Sequence, residues 1–263
     1  MQMLRPYLLF IMLDWKYMYK TLIIKIFLIF VLLIFVTFVS GAQPLLDQPV
    51  NNAGLRPGET LEYSIKVKGI PAGSQIMEIK DKKIINGREV YHLESKSVAN
   101  SFFNLFYPFS DQIESYVLKD PFYPIKFQRY LIDGKYNGRT TVDIDDNKRI
   151  AKIVKDNKRS EIKIPDGVQD ELSMLYLIRM KNVDIGQKYE FSAIMGNKVY
   201  KVVIEVLGIE EIKTIFGKTK TIVLKSMPRN ALLWITNDKN RIPVKLEINT
   251  KIGKLVADLK AMN

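Results

Sequence analysis

Reactive side chains are scarce in this sequence, and their spacing narrows what they can do. There is no cysteine, and His92 is the single histidine. Without cysteine there is no thiolate nucleophile, thiolate metal site or disulfide. One histidine excludes a His-rich metal cluster and a local HExxH site. A serine triad would have to use His92, which lies in the alternating run REVYHLESKSV. That run reads as a strand whose histidine faces solvent or a polar neighbour. Asp143 and Asp145, in VDIDD, are a carboxylate pair of the type used in glycoside hydrolysis or Ca²⁺ binding. They alternate with Val142 and Ile144 and precede a turn, so they read as a solvated strand end. Asp238 is a further carboxylate that a glycan-acting enzyme could recruit.

The run QDELSMLYLIRM, residues 169–180, spaces Asp170, Ser173, Tyr176 and Arg179 through an apolar segment. Ser173 as a nucleophile needs a base, and no G-x-S-x-G elbow surrounds it. Tyr176 as a dehydrogenase acid needs a lysine four residues on, but Met180 is there, and no glycine-rich nucleotide loop accompanies it. The structural reading is stronger. Leu172, Met174, Leu175, Tyr176, Leu177, Ile178 and Met180 surround most of a helical axis, and a helix apolar nearly all round is buried. Asp170 suits the N-cap and Glu171 the positive end of the dipole, while Arg179 and Lys181 suit the other end. The expectation is a buried helix over about 169–181 that covers the concave face of a sheet. Ser173 and Arg179 then reach polar groups of the sheet or solvent, and Met174 and Met180 act as adaptable fillers.

The aromatic stretch SFFNLFYPF crowds Phe102, Phe103, Leu105, Phe106, Tyr107 and Phe109 together. At a barrel rim these side chains would gate a cavity or touch lipid; packed inward they would form a lid. Trp234, beside a turn, could stack on a sugar or pack with its N–H bonded nearby. Phe102, Phe103, Phe106, Tyr107, Phe109 and Trp234 are therefore the candidate ligand or rim residues.

The elements that must position these groups are strands. ETLEYSIKVK places Leu61, Tyr63, Ile65 and Val67 on one face and Glu62, Ser64, Lys66 and Lys68 on the other. GIPAG reads as a turn, SQIMEIK as a strand, and Asn86-Gly87 as a hairpin turn. Further short strands follow: DQIESYVLKD, PIKFQRYLI, YNGRTTVDID, RIAKIVKD, RSEIKIP, KYEFSAI, KVYKVVIEVLGI, EIKTIF, KTKTIVLKS, ALLWIT, RIPVKLEI and KLVADL. Their links are too short for parallel crossovers. The fold class is all-β: a large curved antiparallel sheet, an open barrel-like meander, with one buried helix.

The chain has 263 residues and a formal charge of +12. Lys20 and Lys25 precede an unbroken apolar run from Ile26 to Val39, followed by Ser40 and Ala42. Residues 1–42 read as a secretory signal peptide cleaved after Ala42 or, with the upstream MQMLRPYLLFIMLDWKY translated, as a signal anchor. Either form places the body outside the cytoplasm. Residues 43–57 read as a linker and 58–263 as one β-rich domain. The basic surplus is interleaved with acids and lacks stacking aromatics, so nucleic acid is not a partner, and no cofactor or metal is implied.

Four stretches in order, GETLEYSIKVKGIPAG, YPFSDQIESYV, QDELSMLYLIR and LWITNDKNRIPVKLEI, resemble the DUF3108 family of exported bacterial proteins. The similarity runs over about residues 57–260. It rests on Gly58, Glu59, Gly73, Ser115, Tyr116, Asp170, Ser173, Tyr176, Arg179, Trp234, Asp238, Pro243 and Val244. The resemblance implies a periplasmic, open, curved antiparallel barrel, and it supplies no reaction. The expected function is a non-enzymatic envelope protein with a barrel-like cavity for a lipid, glycan or envelope protein. The alternatives are a carboxylate enzyme on envelope glycans and a protein interaction module.

Overall fold

The strand periodicity predicted above builds one sheet. The computed structural model describes residues 43–45, 55–227, 230–250 and 253–263. The predicted signal segment 1–42 lies outside them; among the described residues, no helix is long and apolar enough to cross a membrane.

The first meander comprises β2 (Thr60–Val67), β3 (Ile70–Ile79), β4 (Lys83–Ile85), β5 (Arg88–Ala99), β6 (Phe109–Leu118), β7 (Pro124–Asp133), β8 (Tyr136–Asp145), β9 (Ile150–Lys155) and β10 (Lys158–Lys163). A short β1 (Gln43–Pro44) precedes it, and helix α1 (Ser101–Phe106) links β5 to β6. Helix α2 (Ser173–Met180) then leads to the second meander: β11 (Lys188–Met195), β12 (Lys198–Thr214), β13 (Gly217–Met227), β14 (Ala231–Thr236), β15 (Pro243–Thr250) and β16 (Gly253–Met262). The meanders join where β16 pairs antiparallel with β2, so the strands form a single unclosed sheet running from β1 and β11 to β10. Every pairing between the named strands is antiparallel except β1 on β11.

Alternation decides which face is core. Leu61, Tyr63 and Ile65 of β2 point inward with Val142 and Ile144 of β8, Ile153 of β9 and Val244 of β15, and all are buried in one cluster. Tyr176, Leu177 and Ile178 of α2 join the same cluster, each such apolar side chain contributing roughly 1.5–3 kcal/mol. The sheet's two ends are handled differently. The free edge of β11 is covered by β1 and by a parallel bridge from Gln169 to Ala193. The outer edge, β10, is almost wholly exposed and carries Lys158, Arg159 and Lys163, charges that oppose edge-to-edge pairing.

Three local expectations change. GIPAG is not a turn: Lys68 and Gly69 make the turn, and β3 starts at Ile70. KVYKVVIEVLGI and the first four residues of EIKTIF are one continuous strand, β12, because the extra residue at Leu207 is absorbed as a bulge, with Gly208 at positive φ, and Ile215 and Phe216 make the turn. The stretch 43–57, read as a linker, contributes Gln43 and Pro44 to the sheet and Leu45 to the core. By contrast, Asn86 and Gly87 form the expected β4–β5 hairpin turn, both at positive φ.

Candidate functional site

The polar residues of the 169–180 run are built into the interior. Helix α2 is shorter than the 169–181 expected: it starts at Ser173, its N-cap position is Leu172, and Asp170 instead holds the turn that leads into it. Its Oδ1 accepts from the backbone N–H of Leu172 (2.8 Å) and Ser173 (2.7 Å), while Ser173 Oγ accepts from the Asp170 N–H (2.9 Å). Ser115, on the inward face of β6, donates its hydroxyl to the other oxygen of Asp170. Burial pushes the Asp170 carboxyl up, and the hydrogen bonds from Ser115 and the helix start oppose that shift. Ser115 and Ser173 are fully enclosed, and His92 is on the other face, stacked on Tyr116 with Nε2 3.0 Å from Glu114. Neither serine therefore has the histidine as a base.

Beside this turn, Arg129 of β7 clamps Asp111 of β6 through Nε and Nη2, each at 2.7 Å, and reaches Glu171 at 3.2 Å. Burial raises the Asp111 carboxyl and Arg129 pulls it back. At the far end of α2, Arg179 forms a buried fork with Glu59 at 2.6 and 2.9 Å. Arg241 continues the C-terminal anchoring by donating to the Lys181 carbonyl and, at 3.3 Å, to Asn182. Tyr63 donates to the Pro243 carbonyl at 2.8 Å, whereas the buried Tyr176 hydroxyl has no hydrogen-bond partner among the described residues. These side chains tie the start of α2 to β6 and β7, and its end to Glu59 before β2 and to the β14–β15 loop.

The aromatic stretch splits. Asn100 caps α1 by accepting from the Phe103 N–H at 2.9 Å and donates to the Pro71 carbonyl at 2.7 Å. That pins the helix to the β2–β3 end of the sheet. Phe102, Leu105 and Phe106 are 63%, 80% and 69% exposed, and Phe103 is half-buried. Phe102 packs edge-on against both Phe103 and Phe106, with ring centroids 5.5 Å apart in each pair. A lid packed inward is therefore not what forms. Tyr107 and Phe109, expected with the rim residues, are instead buried in a small separate cluster, and the Tyr107 hydroxyl donates to Asp133 at 2.6 Å. Trp234 is also removed from the rim set: it is buried, donates to Glu210 at 2.8 Å and lies under the Lys245 ammonium.

The remaining candidates do not assemble. Asp238 is spent on its own turn, accepting from Thr236 and from the backbone N–H of Asn240 and Arg241. Asp143 is exposed on the outer face of β8, and Asp145 accepts from the Lys148 N–H, so these carboxylates do not flank one groove. Inside the sheet, a cleft of about 30 Å³ is lined by Gln75, Ser95, Phe109, Asp111 and neighbours. That is room for water and far too little for an acyl chain or sugar.

The model of a protein family of unknown function, DUF3108, matches residues 62–260. The chain belongs to the DUF3108 family. No curated protein matches it in sequence. Among solved structures, a β-barrel-like protein of the DUF1849 domain from Brucella abortus aligns with a TM-score of 0.52 at 9% identity, covering 80% of this chain and 99% of that one. That likeness is one of fold. A candidate exported protein with a YmcC-like fold from Bacteroides fragilis (TM-score 0.34, 8% identity, 79% and 96% covered) and a candidate lipoprotein from Parabacteroides distasonis (0.30, 10%, 85% and 100%) also align.

Within this DUF3108 fold the residues that carry the resemblance divide by role. Glu59 and Arg179 pair with each other, as do Ser115 and Asp170. Gly73 lets β3 approach β5: a Cβ there would lie 2.2 Å from the Val98 carbonyl oxygen. Asp111, Arg129 and Glu171 were missed as a cluster. The available signal was phase: Asp111 alternates with inward Ile113 and Arg129 with inward Phe127, so each charge falls on a core face and needs a partner.

Proposed function

We propose that this DUF3108 chain is an exported, non-enzymatic protein of the cell envelope whose α1 rim binds an apolar or amphipathic envelope component. The observation that carries this reading is the outward Phe102–Leu105–Phe106 face of a helix that buries none of its residues. A soluble fold gains nothing from holding three large apolar side chains in water on a capped helix, and such a patch marks a contact surface. Export is supported by the basic start, apolar run Ile26–Val39 and small residues Ser40 and Ala42. The non-enzymatic reading is supported by the engagement of Asp170, Ser173 and Arg179 in holding α2.

Native mass spectrometry of the chain purified gently from its own host tests the proposal, with an acyl probe titrated in parallel. The expected result is a lipid-like adduct and saturable probe binding, both lost in a Phe102→Ser, Leu105→Ser, Phe106→Ser variant with an unchanged melting temperature. Wild-type protein that shows neither adduct nor saturable binding overturns it, as does binding that survives the triple substitution.

A further inference from the structure

We infer that the β12–β13 ribbon contacts the anionic phospholipid surface when the N-terminal segment is retained as an anchor. The inference rests on that anchored form and concerns the end of the molecule opposite α1.

The ribbon outruns its neighbours. β11 pairs with β12 only as far as Glu205, and β14 pairs with β13 only as far as Thr221. Beyond them, β12 and β13 continue together to the turn at Ile215 and Phe216. The part beyond both neighbours exposes Ile215 and Phe216 at its turn, while Leu207 and Ile209 are exposed lower on β12, past the end of β11 but alongside β13 residues that still pair with β14. Near the tip, Lys213 lies directly opposite Lys218 across the ribbon, and among the described residues neither has an acidic partner. Like charges directly opposite destabilise a strand pair in water. An anionic surface removes that repulsion and also takes up the apolar tip.

Chain direction puts the membrane at the same end. β1 runs parallel to β11, with Gln43 level with Tyr189, which itself pairs with Ile204 of β12. The chain therefore enters β1 from the end toward which β12 projects. α1 lies at the other end, beside the β2–β3 turn. In sequence, the apolar run ends at Val39, and the stretch from there to Gln43 spans at most about 14 Å. From Ile204 to Thr214, β12 extends about 33 Å at the usual strand rise. Because the ribbon reaches further than the tether, a body so anchored must lean over and lay the ribbon tip onto the membrane surface.

Because the sequence has no cysteine, a single nitroxide can be placed at will. Full-length Phe216→Cys, and Lys135→Cys in the exposed β7–β8 turn, would each be labelled and reconstituted in phosphatidylethanolamine–phosphatidylglycerol vesicles. Power-saturation spectroscopy then compares access of oxygen and of an aqueous nickel chelate, and the intact mass of the same sample is recorded. The expected result is an intact N-terminus, a Phe216 label favouring oxygen and a Lys135 label favouring nickel. An intact chain whose Phe216 label favours nickel overturns the inference. So does protection of both labels, which would mean the body lies flat. A mass beginning at Gln43 removes the anchor and the inference with it, while leaving acyl binding at α1 to stand or fall on its own assay.

Discussion

Helices α1 and α2 invert each other's chemistry. In α2, Ser173, Tyr176, Leu177, Ile178 and Arg179 are buried, and charged groups at both ends are paired, Glu171 with Arg129 of β7 and Arg179 with Glu59 just before β2. In α1 no residue is buried, and the apolar side chains face water. Burying α2 fills the concave face, so its sequence is explained by folding alone. The outward face of α1 contributes nothing to that core, so its composition calls for something outside the chain. The difference separates residues kept for stability from residues available for contact, and substitutions in the two helices should behave accordingly.

The largest effect is expected at the Glu59–Arg179 fork. Arg179→Ala leaves a buried carboxylate unpaired and should cost about 3–5 kcal/mol in urea unfolding. Replacing both partners, Glu59→Leu with Arg179→Met, should recover most of that loss; if the double variant is as unstable as the single one, the pair is not an isolated stability element. At the other end of α2, Asp170→Ala should lower unfolding free energy by about 0.5–2 kcal/mol through the lost hydrogen bonds of the turn that leads into the helix.

Asp170→Asn sharpens the comparison through pH. Burial raises the folded carboxyl above its unfolded value near 4, so the folded chain holds the proton more tightly. The stability of the wild type relative to Asp170→Asn should therefore fall as pH rises from about 4 through the raised folded value. Thermal melts of both proteins across that range check the sign, and parallel curves would contradict it.

Smaller effects follow. Tyr176→Phe removes a buried hydroxyl with no partner and should be neutral or stabilising, by up to about 1 kcal/mol. Phe102→Ser and Leu105→Ser should each change stability by less than about 0.5 kcal/mol while weakening acyl-probe binding. A large stability loss at either position would erase the contrast between the helices.

Much of this architecture was legible in the residue pattern. Period-two alternation located the strands, as at Leu61, Tyr63 and Ile65, because each side chain of a strand faces opposite to its neighbours. The apolar circumference of 172–180 marked a buried helix, but its start at Ser173 was not legible, because the Asp170 hydrogen bonds form a turn before the helix rather than its first turn. Continuity of β12 was not legible, because a bulge at Leu207 interrupts the alternation that signals a strand. The rim was only half legible. Composition identified SFFNLFYPF as unusual, but whether each ring faces core or water depends on where Asn100 pins α1 against Pro71, a contact between distant residues.

Taken alone, the sequence determined the all-β class, the site of the buried helix, the absence of thiol and multi-histidine chemistry, and the family. Those properties follow from local periodicity and composition, which each segment carries itself. Tertiary structure alone decided that Arg179 answers Glu59, that Arg129 gathers Asp111 and Glu171, that Trp234 is core, and that the β12–β13 tip and α1 occupy opposite ends. Each of these depends on strand register and on the pairing of β16 with β2, which bring together groups far apart along the chain.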